Sequence, residues 1–311
     1  MLVALAGGVG AARFLRGLVR ATEPSDIFVV VNTGDDEIFH GLHVCPDLDS
    51  VTYTLAGKSN PETGWGLANE TFRVMEALDR FGAPTWFRLG DADLATHLYR
   101  TQRLHAGATL SEVTTEITNA FEIEARLVPM TNDRVSTMIQ TAGNTSPMPM
   151  QEWFVLHQTR PSVTAVSFEG ASLARPAPGV LDALETADSI IVCPSNPVIS
   201  IGPILALPGV RDALVERRDR VIGISPIIAG APVKGPADKL MGPLGIEVSC
   251  VGVARAYADF CSTLVVDVAD AALVGAVEAQ GVRCVVAHTL MTDEGASEAL
   301  ARLVLKEANV P

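Results

Sequence analysis

The 311-residue chain is short of positive charge. Its 23 Lys and Arg stand against 36 Asp and Glu, a formal net charge of −13. Nucleic-acid affinity rests mainly on clustered Lys and Arg, so a chain this acidic is a poor phosphate-backbone binder. Aromatic residues make up only 5%, which argues against a platform for stacking single-stranded bases. Cys45, Cys193, Cys250, Cys261 and Cys284 are odd in number and scattered, with no two at CxxC spacing. Neither a zinc site nor a redox pair is signalled; small buried hydrophobes in a reducing cytoplasm are expected. No apolar run nears the roughly 20 residues needed to span a bilayer. The apolar start, residues 1–6, lacks a basic leader and runs into glycines, so it predicts a buried strand and no signal peptide. Together these lacks point to a cytoplasmic protein with no nucleic-acid partner and no membrane partner.

What is present is a core. Hydrophobic residues reach 48% and charged residues 19%, enough apolar material for a globular small-molecule protein. Strand-like runs alternate with helical patterns, the signature of an α/β protein. Strands are expected at Leu2–Ala6, Ile27–Val31, Thr85–Leu89, Ser189–Cys193, Arg220–Ile224 and Arg283–Ala287. Helices are expected at Ala11–Arg20, Gly66–Phe81, Leu110–Ala120, Gly209–Arg217, Ala269–Gln280 and Asp293–Ala308. Val135–Thr141, Gln151–His157 and Val163–Phe168 read as strands joined by polar turns. The prediction is one Rossmann-like, doubly wound, mostly parallel sheet over residues 1–311. A smaller additional α/β lobe is inserted at roughly 130–175.

Open α/β sheets bind ligands beyond the carboxyl ends of their strands. After the first strand comes Gly7-Gly8-Val9-Gly10-Ala11-Ala12-Arg13. Gly7, Gly8 and Gly10 allow close backbone approach, and the next helix offers free N–H groups to a phosphate. A tight structural turn is the alternative. Arg13 breaks the GxGxxG fingerprint, and no Walker loop follows. The second strand closes on Asn32, where a dinucleotide site would want an acid. Asp47 and Asp49 follow, two apart, and in extended chain they would share one side. Two such carboxylates suit a cation such as Mg2+; solvated turn residues or helix caps are the alternative. Gly90-Asp91-Ala92-Asp93 and then Thr96 and His97 follow the next expected strand. Asp93 could cap a helix there, and His97 could be purely structural. Pro194-Ser195-Asn196-Pro197 and Ser225-Pro226 close the later strands, and Asn196 suits a base edge or a ribose. Five such strand ends in turn predict a single ligand crevice.

These segments, with Trp65-Gly66 and Leu290-Met291-Thr292, occur in an order that resembles the 2-phospho-L-lactate transferase family of coenzyme F420 biosynthesis. The resemblance implies a Mg2+-dependent transferase of a substituted phosphate group, usually a homodimer. It implies a guanosine diphosphate-linked three-carbon acid as donor, carrying phospho-lactyl or phospho-enolpyruvyl. It implies the deazaflavin Fo as acceptor, with GMP leaving and F420-0 or its dehydro form as product. Gly7, Gly8 and Gly10 would face the donor phosphates, and Asn32, Ser195, Asn196 and Ser225 would belong to the nucleotide side. Asp47 and Asp49 would be the catalytic and metal-holding pair. Asp49, Arg88, Ala92, Thr96 and His97 would belong to the Fo side. The family usually has arginine where this chain has Ala92. Either Arg88 or Arg100 compensates, or the acceptor sits differently, or Fo binds poorly. A nucleotide-sugar-binding regulator without catalysis is the second reading. An NAD enzyme is disfavoured by Arg13 and Asn32.

Overall fold

Strand β1 (Leu2–Ala6) is buried at every residue. Its side chains alternate between two cores. Val3 and Leu5 join one apolar cluster; Leu2, Ala4 and Ala6 join the other, as period-two geometry requires. Around it lies a seven-stranded sheet with β2 (Ile27–Val31), β3 (Arg126–Pro129), β4 (Ser189–Val192), β5 (Val221–Ile224), β6 (Thr263–Asp267) and β7 (Arg283–Ala287). The spatial order is β3-β2-β1-β4-β5-β6-β7, and every pairing is parallel. This is the Rossmann order extended by one strand, and it reverses between β1 and β4. The computed structural model describes residues 1–308.

Helix α1 (Gly8–Ala21) covers one face and presents Phe14, Leu15 and Leu18 to the sheet. The helix Glu294–Glu307 lies so close beside it that a Cβ on Gly17 would fall 2.2 Å from the Ser297 carbonyl oxygen. Beyond β2 come α2 (Pro46–Leu55), α3 (Arg73–Arg80), α4 (Asp93–His105) and α5 (Leu110–Ala120). A three-stranded antiparallel sheet of Ser136–Thr141, Met148–Pro149 and Val163–Glu169 forms the smaller lobe. Cys45, Cys193, Cys250 and Cys261 are buried free thiols, and Cys284 is partly buried. No single helix among the described residues is long and apolar enough to cross a membrane.

Several expected elements differ. Thr85–Leu89 is not a strand; the third strand of the sheet is β3. Trp86 and Phe87 instead turn inward on Phe39, with Phe87 stacked at 4.1 Å and Trp86 edge-on at 5.3 Å. Aromatic packing thus holds an irregular segment that no ladder supports. The expected helix Gly66–Phe81 is regular only over α3, because Asp91 caps it from outside: its carboxylate accepts the Arg73 and Val74 backbone N–H groups at 3.1 and 3.0 Å. Glu70 reciprocates by accepting the Ala92 and Asp93 N–H groups at 2.8 and 2.9 Å, so two carboxylates tie the starts of α3 and α4 together. Gln151–His157 is not a strand either. Glu152–Leu156 is a wide helical turn that buries Trp153, whose indole N–H donates to the Pro161 carbonyl.

Candidate active site

A cavity of about 680 Å³ opens at the carboxyl ends of β1, β2, β4 and β5, where the strand order reverses. Gly7, Gly8, Gly10, Asp47, Asp49, Arg88, His97, Ser195, Asn196 and Ser225 all line it. Asn32, Ala92 and Thr96 do not. The false strand at Thr85–Leu89 still delivers Arg88, but from an irregular segment.

Gly7 and Gly10 are glycine for steric reasons. A Cβ on Gly7 would fall 2.8 Å from an Asp47 oxygen and 2.7 Å from Ser200 Cβ; one on Gly10 would fall 2.2 Å from the Pro194 carbonyl oxygen. Gly8 adopts φ +71°, a conformation suited to glycine. The N-terminus of α1 can therefore sit directly against Asp47 and the end of β4.

Asp47 and Asp49 are not in extended chain. They occupy the first turn of α2, behind Pro46, where a helix start favours both proline and acids. A separation of two on a helix turns them apart. Asp47 faces Asn32, whose Nδ2 donates to Asp47 and to Asp35, each at 2.9 Å. Asn32 is wholly buried and acts as the link between two acids. Burial pushes the Asp47 carboxyl up to about 6, against the lowering hydrogen bonds from Asn32 and the Gly8 N–H. Asp35 is pushed well above its usual range by burial and then by the Asp47 and Asp36 charges. This corner has more negative charge than its donors balance, and its oxygen donors suit a hard cation.

Asp49 faces the other way. The Arg100 guanidinium grips both its oxygens, through Nη1 at 3.1 Å and through a shorter Nη2 contact. Arg100 Nη1 also donates to the His43 carbonyl at 3.2 Å and lies 3.3 Å from His97 Nδ1. Nδ1 is therefore assigned as the acceptor, which puts the proton on Nε2, 3.2 Å from Asp93 Oδ2. That approach is too poorly angled to satisfy the buried Nε2. Tyr53 donates to Asp93 at 2.6 Å. Burial would raise the Asp93 carboxyl, but His97, Tyr53 and Arg100 together hold it below its usual value. Ligand atoms of Asp49, Asp93 and His97 lie within 4.8 Å of one another, a set capable of holding a divalent metal ion. Asp47 is not part of it.

Of the two arginines expected to stand in for Ala92, Arg100 is committed to Asp49 and Arg88 lines the cavity. The Arg88 guanidinium sits 4.1 Å from the centre of the Phe72 ring. Ala92 is an exposed cap position of α4. Asn196 uses its side-chain oxygen to cap the turn Pro197–Ile201, accepting from Val198 at 2.9 Å. Ser225 is engaged with the Ile227 backbone. Ser195 Oγ is buried with no partner, so it is a polar atom of this wall free for a ligand. Residue-by-residue reading missed the aromatic wall of Tyr53, Trp65, Trp86, Phe87 and Phe154. The usable signal was that two of only three tryptophans flank the motif segments.

The raised Asp47 carboxyl has a stability consequence. A buried carboxyl whose folded pKa exceeds its unfolded value takes up protons on folding. Its favourable contribution is full below 3.8 and is lost as pH rises through about 6. In chelator, the melting temperature should fall between pH 5 and pH 7 more steeply than in Asp47→Asn. Over that interval the difference amounts to on the order of 1 kcal/mol. Parallel calorimetric profiles for the two proteins would refute it.

The family profile described as 2-phospho-L-lactate transferase CofD matches residues 2–302. A phosphoenolpyruvate transferase of Streptomyces griseus is 48% identical over 311 residues, covering 99% of this chain and 98% of the relative. One from Mycolicibacterium smegmatis is 40% identical over 328 residues, covering 99% of each. The solved structure of protein BH3568 from Bacillus halodurans superposes with a TM-score of 0.64 at 15% identity, covering 98% of each chain, a likeness of fold. By the profile match across nearly its whole length and the identity to full-length relatives, the chain belongs to the 2-phospho-L-lactate transferase CofD family.

Proposed function

We propose that this transferase moves a phospho-enolpyruvyl or phospho-lactyl unit from a guanosine diphosphate conjugate to the primary hydroxyl of the deazaflavin Fo, releasing GMP. The carrying observation is one cavity that joins a glycine-loop helix start, two differently held aspartates and an aromatic wall. The wall suits a flat tricyclic acceptor. The free Ser195 hydroxyl and the Asn196 and Ser225 corner suit the guanosine side. The relatives' names favour the enolpyruvyl unit.

In the reaction the hydroxyl oxygen forms a bond to the phosphorus bearing the organic acid, and the bond from that phosphorus to GMP breaks. Such transfers need in-line positioning and charge neutralisation. Asp49, held by Arg100, would orient the hydroxyl and accept its proton. Asp47 would hold Mg2+, a reading supported by its amide partner and by a corner short of positive charge. Mg2+ would neutralise the diphosphate and the departing phosphate when bound. Arg88 would supply a guanidinium to the acceptor side of the cavity, where the family's arginine is replaced by Ala92. A cytoplasmic homodimer, with no nucleic-acid partner, completes the reading.

Mass analysis after incubating Fo and Mg2+ with each guanylated donor tests it. The expected result is GMP together with F420-0 or dehydro-F420-0. No product with either donor, combined with stabilisation by a UDP-sugar alone, would favour the regulator reading.

A further inference from the structure

The glycine loop provides only backbone donors, yet the chain carries a strong net negative charge. Three Lys or Arg side chains line the cavity: Arg13, Arg88 and Lys234. Arg88 stacks on Phe72. Arg13 and Lys234 come from far apart in sequence and meet at the glycine end. Arg13 lies within α1, just past the glycines. Lys234 follows the short antiparallel strands Ile227–Ile228 and Ala231–Pro232. Both converge on Gly64, in the segment across the mouth. A Cβ there would lie 3.0 Å from Lys234 Nζ, 3.7 Å from Arg13 Nη2 and 3.0 Å from Val9 Cγ1. Gly64 has φ +75°, so a side chain is disfavoured there on both counts.

Neither cation has a carboxylate partner among the described residues. Lys234 donates only to the Thr63 carbonyl. Partial burial and the neighbouring Arg13 charge pull the Lys234 ammonium below its usual range. Two like charges held together without an acid, in a chain rich in acids, mark a place built for an anion. We infer that Arg13 and Lys234 form a clamp on the donor's diphosphate at the glycine end of the cavity. This rests on the guanosine diphosphate reading above. Lys234 would exchange the Thr63 carbonyl for a phosphate oxygen, and Arg13 would add a fork of donors.

Titration calorimetry with GDP and Mg2+ at several salt concentrations tests the clamp in the full chain and in Arg13→Met and Lys234→Met. Each variant is expected to bind GDP about tenfold or more weakly and with a flatter salt dependence. Lys234→Arg should retain most of the affinity. Melting temperatures would establish that the variants are folded. Affinities within about threefold of the unmodified chain, or weakening with no change in salt dependence, would overturn the clamp and leave the donor reading standing. Failure of the unmodified chain to bind either GDP or inorganic diphosphate would overturn both. Binding of inorganic diphosphate that depends on Lys234, without GDP binding, would support the clamp and overturn only the donor.

Discussion

Asp49→Asn should lower transfer to Fo by about a thousandfold or more while GDP affinity stays within about threefold. The reason is position. Asp49 lies on the turn of α2 that faces Arg100 and His97, whereas the glycine loop is approached by Asp47. Asparagine keeps the shape and one acceptor but cannot take up a proton. It also leaves the Arg100 charge with a weaker partner, so assays belong well below the variant's melting temperature. Single-turnover measurement of GMP release, beside calorimetric titration with GDP, separates the two effects. Turnover within tenfold of the unmodified enzyme would remove Asp49 from the chemistry.

Arg100→Met should have the largest effect on stability. Arg100 and Asp49 are both buried, at 2% and 5% exposure. Removing one member of a buried pair strands the other charge and typically costs about 3–5 kcal/mol. For a chain of this size that is roughly a 5–8 °C fall in melting temperature. The His43 carbonyl and His97 Nδ1 lose their contacts as well. The paired change Asp49→Leu with Arg100→Met should lose less than Arg100→Met alone, because no charge is left behind. Thermal denaturation of the single and paired variants decides it. A drop under about 2 °C for Arg100→Met would mean that water already reaches the pair.

The parallel sheet was readable wherever strands are continuous apolar runs, as at β1, β2 and most of β4. β3 escaped because it is a short edge strand that starts on Arg126 and ends on Pro129, a composition tolerated only at an edge. Trp86, Phe87 and Leu89 imitate strand composition, but their partner is Phe39, far off in sequence, and no local pattern announces that. The helical setting of Asp47 and Asp49 was legible after all. Pro46 ahead of two acids is a helix-start signature, and reading the segment as extended misjudged which way each acid faces. Glycine, aspartate and serine positions around the cavity could be read from strand ends alone. Arg100, Tyr53 and the aromatic wall could not, because their roles depend on how α2 and α4 and the irregular loops pack.

Asn32 also bears on the paths open to this fold in evolution. In dinucleotide enzymes the residue at the end of the second strand is free to meet a ribose. Here that place is filled by an amide whose hydrogens are divided between Asp35 and Asp47, with the Ile199 carbonyl 3.3 Å away. An acid substituted at that point would add a third buried negative charge before it gained any ligand. A drift toward nicotinamide chemistry would therefore require Asp35, Asp47 and the glycine that accommodates Asp47 to change together. Descendants of this sequence are held to their present class of substrate by a barrier of several simultaneous substitutions.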